Sequence, residues 1–117
     1  MKNRHLFILQ KIVNYSDKIA AAIERFALDY QKFIDDTVVR DAICMSLLQI
    51  GELVNKLTEE FKQTHEDIEW HKVIALRHRV IHDYYSLDLA LIWQVVTINI
   101  PELKTYCKKI LEEIENV

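Results

Sequence analysis

The sequence predicts a small all-α protein, an up-and-down antiparallel helical bundle of about four to five helices, built as a single domain over residues 1–117. Three observations indicate this fold class. Half of the residues are apolar and 28% are charged, as in ordinary folded domains. The apolar residues recur at the helical period along most of the chain. The chain has a single glycine, Gly51, and a single proline, Pro101. These are too few for turn-rich β-folds, and glycine-rich phosphate loops need more than one glycine.

The first half of the chain predicts two long helices. Apolar residues three and four positions apart indicate a first helix over about residues 4–28, followed by a connection over 29–36. Residues 35–37 (Asp-Asp-Thr) are candidates for the N-cap of a second helix, whose apolar stripe runs to about residue 62. Gly51 lies inside that stripe. Because a glycine within a helix costs about 1 kcal/mol relative to alanine, Gly51 indicates close approach of a neighbouring helix or a ligand.

The second half predicts three shorter helices. A third helix should begin near residues 68–70 and reach residue 80 or 81. A segment poor in helix formers follows, in which Ser86 is the expected N-cap of a fourth helix over about 87–99. That helix is apolar nearly all round, so it must be buried on more than one side, in the bundle or against a second subunit. Pro101 fits the first turn of a fifth helix over about 101–116.

Cysteine usage and hydropathy predict a cytoplasmic protein without a disulfide framework. Cys44 and Cys107 are far apart and form no C-x-x-C pair, so neither a disulfide framework nor a cysteine-rich zinc site is supported. We expect both to behave as small buried hydrophobes. The N-terminus has no signal-peptide pattern, and no apolar run approaches the roughly 18 residues of a membrane span. The expected compartment is therefore the cytoplasm, with no membrane partner.

Chemistry is concentrated in one basic segment, which runs Arg77-His78-Arg79-Val80-Ile81-His82-Asp83-Tyr84. The formal charge of −3 argues against strong overall attraction to nucleic acid but leaves such a local site possible. One interpretation is a metal site, since His78 and His82 have the spacing of zinc ligands on a helix. Against it, Arg79 occupies the position where the H-E-x-x-H motif needs glutamate, and no third ligand is evident nearby.

Two further interpretations of this segment remain. In a structural one, Arg79 pairs with Asp83 four residues later and the tyrosines seal the bundle end. In the other, the segment cleaves phosphodiesters without a metal, with Arg77 as the cation for the phosphate and His82 as the acid or base. A five-residue step turns about 140° around a regular helix. The two side chains would thus converge only if the helix ends or distorts near Ile81, or if a second subunit completes the site.

The spacing Arg77-x4-His82-x-Tyr84 resembles the R-x4-H-x-Y motif of the HepT-like toxins in the HEPN superfamily. The resemblance extends over nearly the whole chain. Family signatures are matched by Gln49-Ile50-Gly51-Glu52, Ile68-Glu69-Trp70, Leu87-Asp88, Trp93 and Pro101-Glu102-Leu103. One departure concerns His78, where the family often has asparagine, which makes His78 a candidate second titrating group.

The resemblance implies the toxin half of a two-component, type VII-like toxin–antitoxin module. Its implied activity is metal-independent RNA endonuclease cleavage through attack of the 2′-hydroxyl, without a cofactor, by a homodimer. Arg77 would hold the scissile phosphate and His82 would be the general acid/base. Tyr84 would accept AMP from a partner, a minimal nucleotidyltransferase antitoxin, which inhibits the nuclease.

Three residues are candidates for supporting roles: Glu52 as a partner for the basic cluster, His78, and Asp83 as a group that orients His82. An alternative function comes from a different class. In it the chain is a non-catalytic nucleotide- or partner-binding subunit of a nucleotidyltransferase complex, and the negative net charge favours this alternative slightly.

Overall fold

The computed structural model describes residues 2–82, 84–86 and 88–115, and every regular element in these ranges is helical. The α-helices are α1 (Lys2–Arg25), α2 (Tyr30–Asp35), α3 (Thr37–Lys56), α4 (Glu59–Thr64), α5 (Trp70–His82), α6 (Leu89–Gln94) and α7 (Ile100–Glu115). A 3-10 turn spans Tyr84–Ser86, and a π-helical turn over Val95–Asn99 joins α6 to α7. The predicted all-α bundle is confirmed.

Helix α3 is the centre of the bundle, because it packs against α1 on one side and α5 on the other, while α7 covers α1. The buried residues of the three long helices repeat at three- and four-residue steps, which keeps each apolar stripe on one face. Among them are Leu9, Ile12 and Ile19 in α1; Ile43, Leu47, Ile50 and Val54 in α3; and Leu103, Cys107 and Ile110 in α7. Burial raises the pKa of the Cys44 thiol to about 11 and that of Cys107 to about 12, as expected for small buried hydrophobes.

The segment before α3 differs from the sequence prediction. Helix α1 ends at Arg25 rather than near residue 28, because Ala27 adopts a left-handed φ of 47° and the Leu28 N–H turns back to the Ile23 carbonyl. The predicted connection then contains α2, which the Asp29 side chain caps and whose Phe33 is fully buried. One apolar anchor and one cap are enough to order this short helix.

The second long helix is interrupted where the prediction had it continuous to residue 62. Helix α3 starts with Asp36 as its N-cap, within the predicted residues, and ends at Lys56. Leu57 is extended, and the Thr58 side chain accepts the Phe61 N–H, which starts α4 in a new direction. Thr58 satisfies a helix start better than it continues a helix, so local capping overrides the apolar period.

The last two helices also differ in detail from the prediction. Asp88, not Ser86, caps α6, since its side chain accepts the Leu91 N–H at 3.2 Å. No break separates α6 from α7. The Ile100 N–H reaches back five residues to the Val95 carbonyl, which makes the connection a π-helical turn. Pro101 follows directly and has no N–H to donate to this turn.

The apolar fourth segment is buried on one side only. Ile92 and Val96 lie in the core, whereas Leu91 and Ile98 are 36% and 51% exposed. Within the described ranges, no helix is long and apolar enough to cross a bilayer.

Candidate active site

Helix α5 lies at the edge of the bundle and carries the basic segment at its C-terminal end. Of its thirteen residues, Trp70 and Val80 are buried, and the remainder are half-buried or exposed. Trp70 anchors the helix start through its indole N–H, which donates to the His65 carbonyl at 2.8 Å. The rest of the helix is therefore free to present polar side chains, while its inner face rests on α3.

Gly51 sets the distance between α3 and α5. A Cβ atom added at Gly51 would overlap the Cβ of Arg77 and lie 3.1 Å from its Cγ and 3.3 Å from its Cδ. These atoms belong to the start of the side chain, so rotation of the guanidinium could not relieve the overlap. The predicted close approach at Gly51 is confirmed, and the neighbour is the motif arginine itself.

Glu52 fixes the direction of the Arg77 side chain. Arg77 Nε donates to Glu52 Oε1 at 2.5 Å, in an ion pair where 24% of the arginine side chain and 37% of the glutamate are exposed. Glu52 is thus the carboxylate partner that the sequence suggested for the basic cluster. A guanidinium has five N–H donors in a rigid fork, so the bond through Nε leaves the terminal nitrogens for an incoming anion.

His78 and His82 lie together on an exposed face of α5, with ring centroids 4.3 Å apart. Helix α5 continues to His82. The helix thus ends one residue beyond Ile81, and its regular turn up to that point does not bring Arg77 and His82 together. Arg77 and His82 stay about 140° apart around the helix axis, as in a regular helix. Among the residues that the structure describes, no three His, Cys, Asp or Glu side chains gather as a metal ion would need.

Tyr84 leaves the helix and returns to α3. It stands in the 3-10 turn after α5, and its hydroxyl donates to Oδ1 of Asp41. Partial burial and then the Asp41 hydrogen bond raise the pKa of Tyr84 to about 12, while Arg40 acts in the opposite direction. The hydroxyl therefore keeps its proton at neutral pH.

Two carboxylates on one face of α3 hold the motif segment. Asp41 and Glu52 are eleven residues apart, which is three helical turns, so they share a face and lie about 16 Å apart along the axis. Glu52 holds Arg77 and Asp41 holds Tyr84. We call Asp41 and Glu52 the carboxylate face of α3.

Two residues of the basic segment take no described part in this arrangement. Arg79 lines a separate cleft of about 460 Å³ with Lys72 and Leu76, away from the carboxylate face. Asp83, which the sequence suggested as an orienting group for His82 or a partner of Arg79, lies outside the described residues.

Comparison with known proteins shows which family the chain belongs to. The family model described as "Ribonuclease HepT-like" matches residues 16–110, which include the carboxylate face and the whole basic segment. The chain belongs to the HepT-like ribonuclease family. The resemblance read from the R-x4-H-x-Y spacing is confirmed at the level of the family.

Relatives of this HepT-like chain match over most of its length. A Caldanaerobacter subterraneus protein named "Putative RNase" is 34% identical over 92 residues, which cover 78% of this chain and 82% of the relative. A Methanocaldococcus jannaschii protein of the same name is 28% identical over 107 residues, or 92% and 90% of the two chains. A Thermococcus cleftensis protein named "Probable ribonuclease HepT" is 29% identical over 102 residues, or 83% and 93%. No solved structure matches the chain.

Sequence reasoning missed Asp41 and its neighbour Arg40 in this HepT-like site. The spacing from Asp41 to Glu52 was the available signal, because eleven residues return a helix to the same face. The spacing becomes informative only once the contact of Glu52 with Arg77 is known. The Tyr84 contact itself spans 43 residues and depends on how the chain turns after α5.

Proposed function

We propose that this HepT-like protein is the toxin of a two-component toxin–antitoxin module and cleaves RNA without a metal ion. The proposal rests on the position of the Arg77 side chain, in a chain that belongs to a family of ribonucleases. Its guanidinium is directed by Glu52 and seated against Gly51, at the end of a helix whose two imidazoles are exposed. A directed cation and an accessible imidazole are the minimum that RNA cleavage through its own 2′-hydroxyl requires.

The proposed reaction divides between these two side chains. The 2′-hydroxyl oxygen attacks the neighbouring phosphorus, the bond to the 5′-oxygen breaks, and a 2′,3′-cyclic phosphate remains. The terminal nitrogens of Arg77 bind the phosphate oxygens, where negative charge develops. His82 exchanges protons with the reacting oxygens as the general acid and base. Glu52 acts through Arg77 as a positioning residue, and His78 is the candidate second titrating group.

The site requires two copies of the chain in this proposal. Within one copy, Arg77 points towards α3 while His82 points away from it, because α5 is regular as far as His82. Ile81, beside His82, is 45% exposed, so a second subunit seated here would cover an apolar side chain while adding a second basic segment. A homodimer would thus compensate for the few basic residues per chain.

RNA digestion in EDTA tests the nuclease proposal. We expect the purified protein to cleave total RNA in EDTA and to leave 2′,3′-cyclic phosphate ends, because no step uses a metal. An Arg77→Ala/His82→Ala double variant, matched for folding by circular dichroism, should leave the RNA intact. Equal cleavage by both proteins would mean that a contaminant or another site is responsible.

The same proposal includes control of the toxin by AMP transfer to Tyr84 from a minimal nucleotidyltransferase antitoxin. Tyr84 lies just after α5 and is half-buried, so a nucleotide attached there would bring a phosphate anion and a base to the segment that must bind RNA. The attached nucleotide would obstruct the approach of RNA to this segment, and the charge of its phosphate would repel the RNA backbone.

Intact-mass spectrometry tests this control. After incubation with ATP and the partner nucleotidyltransferase, the wild type should gain whole AMP units and lose RNA cleavage, whereas Tyr84→Phe should gain none. Tyr84→Phe removes one oxygen from a half-buried ring, so the fold should persist. Modification that continues on Tyr84→Phe would assign the acceptor to another residue.

The non-catalytic alternative has one observation in its favour. Glu52 already offsets part of the Arg77 charge, in a chain of net charge −3, which weakens attraction to RNA. In that function the chain presents Tyr84, or a nucleotide, to the transferase. Absence of cleavage by protein whose mass shows an unmodified Tyr84 would favour it.

A further inference from the structure

The Tyr84 hydroxyl is already engaged by a potential proton acceptor before any partner binds. It donates to Oδ1 of Asp41, whose side chain is exposed near the start of α3. The contact joins the short turn Tyr84–Ser86 to the centre of the bundle across 43 residues of sequence. An enzyme that delivers ATP to this surface would meet the hydroxyl and the carboxylate together.

We propose that Asp41 is the general base for AMP transfer to Tyr84, an inference that rests on the proposed role of Tyr84 as the AMP acceptor. The Tyr84 oxygen attacks the α-phosphorus of ATP, and the bond from that phosphorus to the bridging oxygen breaks. Pyrophosphate leaves with the electron pair of that bond. The hydroxyl proton passes to the Asp41 carboxylate, which returns it to solvent.

The chemistry of the hydroxyl explains why a base is needed. Its pKa is raised to about 12, first by burial and next by the hydrogen bond to Asp41, so almost none of it is phenolate at neutral pH. A protonated phenol attacks phosphorus well only if its proton is removed as the new bond forms. The carboxylate that accepts the hydrogen bond in the resting protein lies in the right position to do this, as the catalytic aspartate does for the substrate hydroxyl of a kinase.

Arg40 completes the surroundings of the hydroxyl. The Arg40 side chain acts to lower the pKa of Tyr84, and its Nη1 donates to the Ile34 carbonyl at 2.5 Å. The bond to Ile34 fixes the direction of the guanidinium. A fixed cation there would stabilise the negative charge that develops on the transferred phosphoryl group. The proposed cation, Arg40, and the proposed base, Asp41, are thus consecutive residues of α3.

Substituting Asp41 with asparagine distinguishes a base from a merely structural contact. Asparagine keeps the size of the side chain and an oxygen that accepts the Tyr84 hydrogen bond, but it takes up no proton at neutral pH. We expect Asp41→Asn to slow AMP incorporation by about 10²- to 10⁴-fold with ATP and the partner nucleotidyltransferase, followed by intact-mass spectrometry. Asp35→Asn, at an exposed position of α2, is the matched control and should react like the wild type.

Each outcome has a defined meaning. If the wild type is not modified on Tyr84, the proposed AMP control is overturned and the role of Asp41 with it. If wild type and Asp41→Asn react at equal rates, the role of Asp41 alone is overturned. Should Asp41→Asn melt below the assay temperature, Asp41→Glu and Asp41→Gln replace it. The glutamate and glutamine side chains have the same length, but only glutamate has a carboxylate. Transfer by the glutamate variant alone supports the inference, and equal rates overturn it.

Discussion

His82→Ala should lower RNA cleavage by about 10²- to 10⁴-fold, the range that a general acid or base contributes. The His82 side chain is exposed at the end of α5, so its removal leaves no cavity in the core and the fold should persist. The measurement is the initial rate of RNA cleavage in EDTA, with the melting temperature recorded for each protein. An unchanged rate in a folded His82→Ala protein would end the nuclease proposal.

Other histidines of the same helix provide matched controls. His71→Ala removes an imidazole that is 76% exposed at the other end of α5, and it should cleave at the wild-type rate. His78→Ala removes the ring that lies 4.3 Å from His82, and we expect a smaller loss than for His82→Ala. A larger loss for His78→Ala than for His82→Ala would exchange the roles of the two residues.

Arg77→Ala should lower RNA cleavage by about 10²- to 10³-fold, the loss that follows removal of one group that stabilises transition-state charge. Arg77→Lys should lose much of the activity too. A lysine ammonium has no planar fork, so it cannot bind Glu52 and the phosphate in the same geometry. The quantity to compare is kcat/KM on one RNA substrate. Full activity of Arg77→Lys would show that only the charge matters and not the direction that Glu52 imposes.

Gly51→Ala tests whether the direction of the Arg77 side chain matters, while it leaves the side chains of Arg77 and His82 present. The added methyl group overlaps the Arg77 Cβ, so α3 and α5 must separate or Arg77 must move. Overpacking of this kind costs about 1–3 kcal/mol, which opposes a gain of about 1 kcal/mol from alanine in a helix. We expect lower cleavage and no net gain in the free energy of unfolding. Asn55→Ala, at an exposed position of the same helix, should leave cleavage unchanged. Equal cleavage rates for the two variants would show that Gly51 has no part in positioning Arg77.

Local pattern was enough to predict the helices and the candidate residues on them. The shortage of glycine and proline and the period of the apolar residues left few choices besides a helical bundle. The same pattern placed Gly51 inside a helix, where its cost indicated the close contact that Arg77 makes. It failed where single side chains decide a boundary. Thr58 starts a new helix inside the predicted one, and Ala27 ends α1 through a conformation that apolar periodicity cannot reveal.

The all-α fold, the R-x4-H-x-Y segment at the end of a helix, and a glycine–glutamate pair on another helix could all be predicted from the residues. The folded chain was needed to show that this pair faces Arg77, that His82 points to solvent, and that Tyr84 contacts Asp41. The two kinds of information differ in the sequence distance over which they act. Helical periodicity and capping act over three or four residues, whereas the contacts of Arg77 and Tyr84 join residues 25 and 43 positions apart. Such contacts depend on how α5 is turned against α3, which the packing of the whole bundle sets.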